Sequence, residues 1–317
     1  MCRTRLILLD GIAGSGKSTT GQRLFRALNL AEVQAEFHHE FARPHPVLDI
    51  NESTIGGWVE QSHHKWTAFA DRMRGGGIVT ILDGALFQCG IGELLERDAR
   101  DGEILDFVDR LQPIVEPLEP LLIHLYQDDV ETALREVYNQ RTKAWRHRVG
   151  TVFQSTTYGR NRTLEGFDLY LDFVRNLRRL SDLACDSWGL EKTAIRTGDD
   201  RWDERMERIL RLLDVHPAND PFRPDDYAGE YVVDTTGQRC VIREAGGYLQ
   251  VEGLFEIVKR LLPGMGDTLF VETWPDILAF GRDDVGCVVE FQAAGSSRRI
   301  GDSVWKRVSP PARSSSE

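Results

Sequence analysis

Over the first two-thirds of the chain, short apolar runs alternate with longer stretches in which apolar residues recur every three to four positions. Arg5–Leu9, Val33–Phe37, Ile78–Leu82, Leu121–Leu125 and Thr193–Arg196 have strand length and composition. Ser18–Leu28, Thr54–Arg74, Asp129–Arg141, Leu164–Trp188 and Trp202–Leu213 have helical period. In the last of these, Met206, Ile209, Leu210, Leu212 and Leu213 share one face. Apolar strands alternating with helices predict an α/β, three-layer architecture over residues 1–215, a parallel sheet with helices on both faces.

The pattern then breaks. Residues 216–226 (HPANDPFRPDD) carry three prolines and four Asp or Asn residues, the composition of a linker. Beyond it the period falls to two: GEYVVD, QRCVIRE, GYLQVEG, TLFVET and CVVEFQA are separated by glycine-bearing turns. They predict a small antiparallel β domain over 227–308. A core of that size is near the lower limit for independence, so the domain is expected to lean on the first or on a partner chain. The end of the chain, 309–317 (SPPARSSSE), reads as a disordered tail.

The most specific chemical signal follows the first strand. Gly11-Ile12-Ala13-Gly14-Ser15-Gly16-Lys17-Ser18 fits G-x-x-x-x-G-K-[ST] between an apolar strand and an amphipathic helix, the context this loop requires. Glycines let the backbone come close to phosphates, and successive N–H groups at a helix N-terminus make a nest for them. Gly11, Gly14, Ser15, Gly16, Lys17, Ser18 and Thr19 are therefore candidate binders of a nucleoside triphosphate. Lys17 would reach the β- and γ-phosphates and Ser18 would ligate Mg²⁺. The Lys17 side chain is expected to face solvent until nucleotide binds. Asp83 closes the third strand run and is the second candidate Mg²⁺ residue, at the sheet edge where ligands collect. Asp10 lies beside the loop and either assists there or fixes the turn.

Charge and cysteine usage narrow the class. The formal net charge is −11, from 39 Lys and Arg against 50 Asp and Glu. That argues against a broad nucleic-acid footprint, and so against a polynucleotide-end kinase. No run approaches the roughly 18 apolar residues of a membrane span. Cys2, Cys89, Cys185, Cys240 and Cys287 are odd in number and scattered, with no CxxC pair. These features read as a reduced, cytoplasmic protein.

On ILLDGIAGSGKSTT (7–20), VTILDGALFQ (79–88) and REVYNQRTKAWRHRV (135–149), the first 215 residues or so resemble P-loop kinases of the adenylate/thymidylate kinase type. The resemblance implies ATP as donor with Mg²⁺ and a lid whose arginines close over the transferring phosphoryl group. Arg141, Arg146 and Arg148 stand in the lid position as candidate catalytic cations. Ala85-Leu86-Phe87 replace the Phe-Pro-Arg of adenylate kinases, so an acceptor-gripping arginine is absent there. No Asn-Lys-x-Asp motif appears, which leaves ATP rather than GTP as the default donor.

The segment AEFHHEFARPHPV (35–47) gathers acids, histidines and prolines where such kinases face the acceptor. Deoxynucleoside kinases place a Glu before a Pro-containing loop there, as general base. Glu40 or Glu36 is the corresponding candidate, with Glu36, Arg43 and His45 as acceptor contacts. Trp66 shares a helix face with Phe69 and lines either an acceptor pocket or the core. Adjacent His pairs point apart, which disfavours zinc. The reading is a phosphotransferase acting on a small-molecule hydroxyl or phosphate acceptor: a nucleoside or nucleotide, a metabolite or an antibiotic. A homodimer is compatible with it. The alternative is a nucleotide-dependent ATPase or switch whose β domain binds a partner.

Overall fold

The computed structural model describes residues 4–199, 201–294 and 303–308. Cys2 and the tail 309–317 lie outside the described residues. In chain order the first unit is β1 (Leu6–Asp10), α1 (Lys17–Leu30), β2 (Ala35–His38), α2 (Ile55–Met73), β3 (Val79–Asp83), α3 (Gly92–Glu96), α4 (Asp101–Val115), β4 (Leu121–Tyr126), α5 (Val130–Gln140), α6 (Lys143–Ser155), α7 (Thr157–Arg160), α8 (Gly166–Ser187), β5 (Lys192–Arg196) and α9 (Trp202–Leu212).

The five strands form one parallel sheet in the order β2-β3-β1-β4-β5. Alternate residues of its central strands feed two cores. Leu6, Leu8, Leu82 and Leu122 pack under α2, α4 and α8, while Ile7, Leu9, Ile81 and Ile123 pack under α1 and α9. Every residue of β1 and β3 is buried, which is why those runs are apolar up to their terminal aspartates. Four helices were not among the expected elements: the short α3 and α7, and the longer α4 and α6. α4 carries Ile104, Phe107, Val108, Leu111 and Val115 at helical spacing on its buried face. α6 occupies the expected lid segment and starts at Thr142, whose hydroxyl accepts from the Trp145 N–H at 3.1 Å.

The second unit is β6 (Gly229–Val232), β7 (Arg239–Ala245), β8 (Tyr248–Glu252), β9 (Lys259–Pro263), β10 (Thr268–Val271), β11 (Ile277–Arg282), β12 (Val288–Ala294) and β13 (Val304–Arg307). Together they close an antiparallel barrel, with β13 pairing β6 and β9 pairing β10. The sequence pattern led us to expect five strands where eight are present. The extra ones, β9, β11 and β13, are short or interrupted by glycine and charge. Closure leaves no free sheet edge, and Tyr231, Leu249, Val251, Leu261, Phe291 and Trp305 fill the interior.

The barrel packs on the parallel-sheet unit along α1. Phe270 of β10 meets Phe25 edge-on at 5.5 Å and Phe37 at 6.1 Å between ring centroids. Arg26 of α1 pairs with Asp220 of the connecting segment. Phe270 is 6 % exposed, so Phe270→Ala should lower the unfolding free energy by about 3 kcal/mol. Urea titration followed by tryptophan fluorescence checks this. A change under about 1 kcal/mol would mean the two units hardly support one another.

Candidate active site

Three carboxyls and one ammonium meet at the carboxyl edge of the sheet. β1 ends at Asp10 and β3 at Asp83, in neighbouring strands, and the glycine loop leads from β1 into α1. Gly16 caps α1 at φ 86°, and a Cβ there would come within 2.8 Å of the Trp202 ring, so only glycine fits. Lys17 is 5 % exposed rather than solvent-facing. Its Nζ donates to the Ile12 carbonyl at 3.1 Å and to Gln88 Oε1. The surrounding acids account for this: a buried ammonium needs acceptors, and the loop and Gln88 supply them.

Gln88 is a candidate site residue that sequence reasoning missed. Its Nε2 donates to Glu40 Oε2, so one amide links the loop lysine to the Glu40 carboxylate. The Glu40 carboxyl lies against Gly84, where a Cβ would sit 2.7 Å from Oε2 and 3.3 Å from Lys17 Cε. Burial pushes Glu40 up to about 7; Lys17 opposes this, Asp83 and Asp10 add to it, and Arg141 opposes it. Asp10 accepts from the Leu86 N–H at 3.1 Å and the Gln88 N–H at 2.9 Å. It therefore fixes the π-type turn Ala85–Ile91 that aims Gln88. Burial pushes Asp10 up to about 6, against the pull of those N–H groups and of Lys17.

Asp83 differs from both. It is fully buried, and neither carboxylate oxygen has a hydrogen-bond partner. His39 Nε2 lies 3.8 Å from its Oδ2. An orphaned buried carboxylate suits Mg²⁺, a hard cation that keeps several waters and takes few protein ligands. Among the described residues no group of three His, Cys, Asp or Glu side chains converges for a metal held by protein alone.

The lid cations separate. Burial lowers the Arg141 pKa, with Tyr170 and Glu40 pulling the other way, which puts Arg141 on the site side. Arg146 lies over the Tyr138 ring at 5.8 Å and lines a groove of about 580 Å³ with Gly150, Thr151 and Glu165. Arg148 is exposed. The reason is helical: in α6, positions two apart point about 200° from each other. The expectation of a three-arginine clamp is thus reduced to Arg141 in this conformation.

The acceptor candidates also divide. Glu36 pairs with His38 at 3.2 Å and accepts from Thr80 Oγ1 at 2.8 Å, and His38 holds its carboxyl below the usual range. It pairs in register with Thr80, three residues short of Asp83, and so sits below the edge rather than in the site. Trp66 is 2 % exposed and packs edge-on to Phe69, which makes it core rather than an acceptor contact. His45 accepts the Val47 and Leu48 N–H groups at Nδ1, so its proton is on Nε2, a buried donor with no partner. Burial holds its pKa down at about 3, which keeps it neutral. Arg43 pairs with Asp49 at 3.0 Å and donates to the Glu40 and Ala42 carbonyls, bracing the loop that carries Glu40. Thr19 turns its hydroxyl to Glu272 of the barrel.

No family model matches this sequence, and no curated protein matches it. Similar solved structures include the YorR protein of Bacillus subtilis in complex with phosphorylated GDP (16 % identity, TM-score 0.40), spanning 66 % of this chain and 95 % of that one. Shikimate kinase from Acinetobacter baumannii in complex with shikimate (16 %, TM-score 0.34) spans 66 % of this chain and 92 % of its own. Deoxyadenosine kinase from M. mycoides with products dCMP and a flexible dCDP (13 %, TM-score 0.37) spans 66 % and 98 %. The sheet order observed here, with a glycine loop between its central strand and α1, is a parallel α/β fold carrying a P-loop.

The raised Glu40 and Asp10 pKa values carry a stability consequence. Between the ordinary 4.5 and about 7 the folded chain holds a proton on Glu40 that the unfolded chain has released. Stability is therefore lost as pH rises through that window, with Asp10 adding a loss between 3.8 and about 6. The melting temperature of the nucleotide-free protein should fall from pH 5 to pH 7.5, and Glu40→Gln should flatten the upper part of that slope. A melting curve that rises over the range would contradict the burial assigned to Glu40.

Proposed function

We propose that the chain is an ATP- and Mg²⁺-dependent phosphotransferase acting on a small-molecule hydroxyl or phosphate acceptor. The observation that carries the reading is the Lys17–Gln88–Glu40 chain: a candidate base, pushed up to about 7, held one amide away from the lysine of a phosphate nest. A general base poised near neutrality suits deprotonation of a hydroxyl nucleophile.

The residues divide the work as follows. Main-chain N–H groups of residues 14–19 receive the polyphosphate at the N-terminus of α1. Lys17 exchanges Gln88 Oε1 for the β- and γ-phosphate oxygens, and Gln88 is then free to orient the acceptor. Glu40 takes the proton of an acceptor hydroxyl as its oxygen bonds to the γ-phosphorus and the bond to the ADP oxygen breaks. Arg141, partly withdrawn from water, faces the charge that spreads over the phosphoryl oxygens. His45 Nε2–H offers a donor on the acceptor loop. Mg²⁺, held by Ser18 and through water by Asp83, would neutralise charge on the phosphates when bound.

The test combines ligand screening with two variants. ATP–Mg²⁺ should raise the melting temperature, and nucleosides, sugars or antibiotics that raise it further identify the acceptor. Lys17→Ala should keep its far-UV circular dichroism yet lose at least about a hundredfold in transfer rate. With a hydroxyl acceptor, kcat/KM should rise with pH through about 7 in the wild type and lose that limb in Glu40→Gln. Undiminished transfer by Lys17→Ala would end the proposal.

A further inference from the structure

The turn between β10 and β11 lies against α1 and the segment after β2 in the first unit. Gln22 of α1, fully buried, reaches across and donates from Nε2 to the Val271 and Trp274 carbonyls, both at 3.2 Å. The two ends of the turn are thus held by one amide. Between them Glu272 Oε1 accepts from Thr19 Oγ1 at 3.1 Å, two residues after the loop lysine. Thr273 is held at φ 66°. A β-branched residue in the left-handed region is strained, and such strain persists only where the surroundings impose it.

That strained residue makes one polar contact across the interface. His39 Nδ1 accepts from the Phe41 N–H at 3.1 Å, so the imidazole proton is on Nε2 and donates to the Thr273 carbonyl at 3.3 Å. The same Nε2 lies 3.8 Å from Asp83 Oδ2, and His39 directly precedes Glu40. Barrel, acceptor loop and orphaned carboxylate therefore converge on one ring that is 3 % exposed.

Building on the phosphotransfer reading, we infer that the barrel is a working part of the active site: its Glu272–Asp276 turn positions Thr19 on the nucleotide side and, through the Thr273 carbonyl and His39, the Glu40 loop beside Asp83. Thr273 and His39 are positioning residues. Neither touches the reacting atoms, and their effect is on how closely Glu40 and Asp83 meet the bound substrates. A displacement of an ångström at such a position costs one to two orders of magnitude in rate.

His39→Phe in the full-length chain separates this role from simple support. It keeps an aromatic ring in place and removes the Nε2–H that donates to the Thr273 carbonyl. We expect kcat to fall on the order of tenfold with the KM for ATP little changed, and His39→Gln, which keeps a side-chain N–H donor, to restore it. Glu272→Ala should instead raise the ATP KM severalfold, and Glu272→Gln, which still accepts from Thr19, should restore it. If the wild type binds and turns over ATP–Mg²⁺ and His39→Phe does so equally well, or His39→Gln turns over no faster than His39→Phe, the inference is wrong and the phosphotransfer reading stands. If the wild type binds no ATP–Mg²⁺, the phosphotransfer reading falls and the inference falls with it.

Discussion

Three carboxyl groups share the neighbourhood of one buried ammonium, and this imbalance organises the site. Asp10, Glu40 and Asp83 converge on Lys17 in a space largely closed to water. A low-dielectric site cannot hold that excess of negative charge without relief. Two of the acids find it internally. Asp10 spends its oxygens on main-chain N–H groups and Glu40 on Gln88, and both are pushed toward the protonated form. Asp83 finds none: neither of its oxygens has a hydrogen-bond partner.

The same imbalance explains why Gln88 matters. An amide can satisfy an ammonium with its oxygen and a carboxyl with its nitrogen at once, which no ionised side chain can do. It holds the loop lysine and the Glu40 carboxyl in one hydrogen-bonded line. Gly84 makes the approach feasible, because a side chain there would strike Glu40 and Lys17 together.

The barrel adds a second constraint from outside the sheet. Its aromatic contact through Phe270 and the fork from Gln22 bring a strained turn to His39 and Thr19. Its placement over α1 ties the small unit to the helix that follows the glycine loop of the large one.

Local signals made much of this readable in the sequence. The glycine loop, the apolar strands ending in Asp10 and Asp83, and the change of period after residue 215 are each contained within a few consecutive residues. The backbone alone dictates what they become: a nest, a sheet edge, an antiparallel unit. Helical period likewise marks α4, although the charges on its outer face and Pro113 obscure it. Which acid faces the loop was not readable, since Glu36 and Glu40 look alike along the chain and only strand register puts one below the edge. Lys17 with Gln88 spans 71 positions and His39 with Thr273 spans 234, so no periodicity could announce either pair. Sequence by itself determined the elements and the phosphate nest, because those follow from steric and hydrogen-bonding rules acting over short separations. Only the tertiary structure decided which side chains share the buried space around Lys17, because that depends on how distant segments pack and on the cost of leaving their charges unpaired.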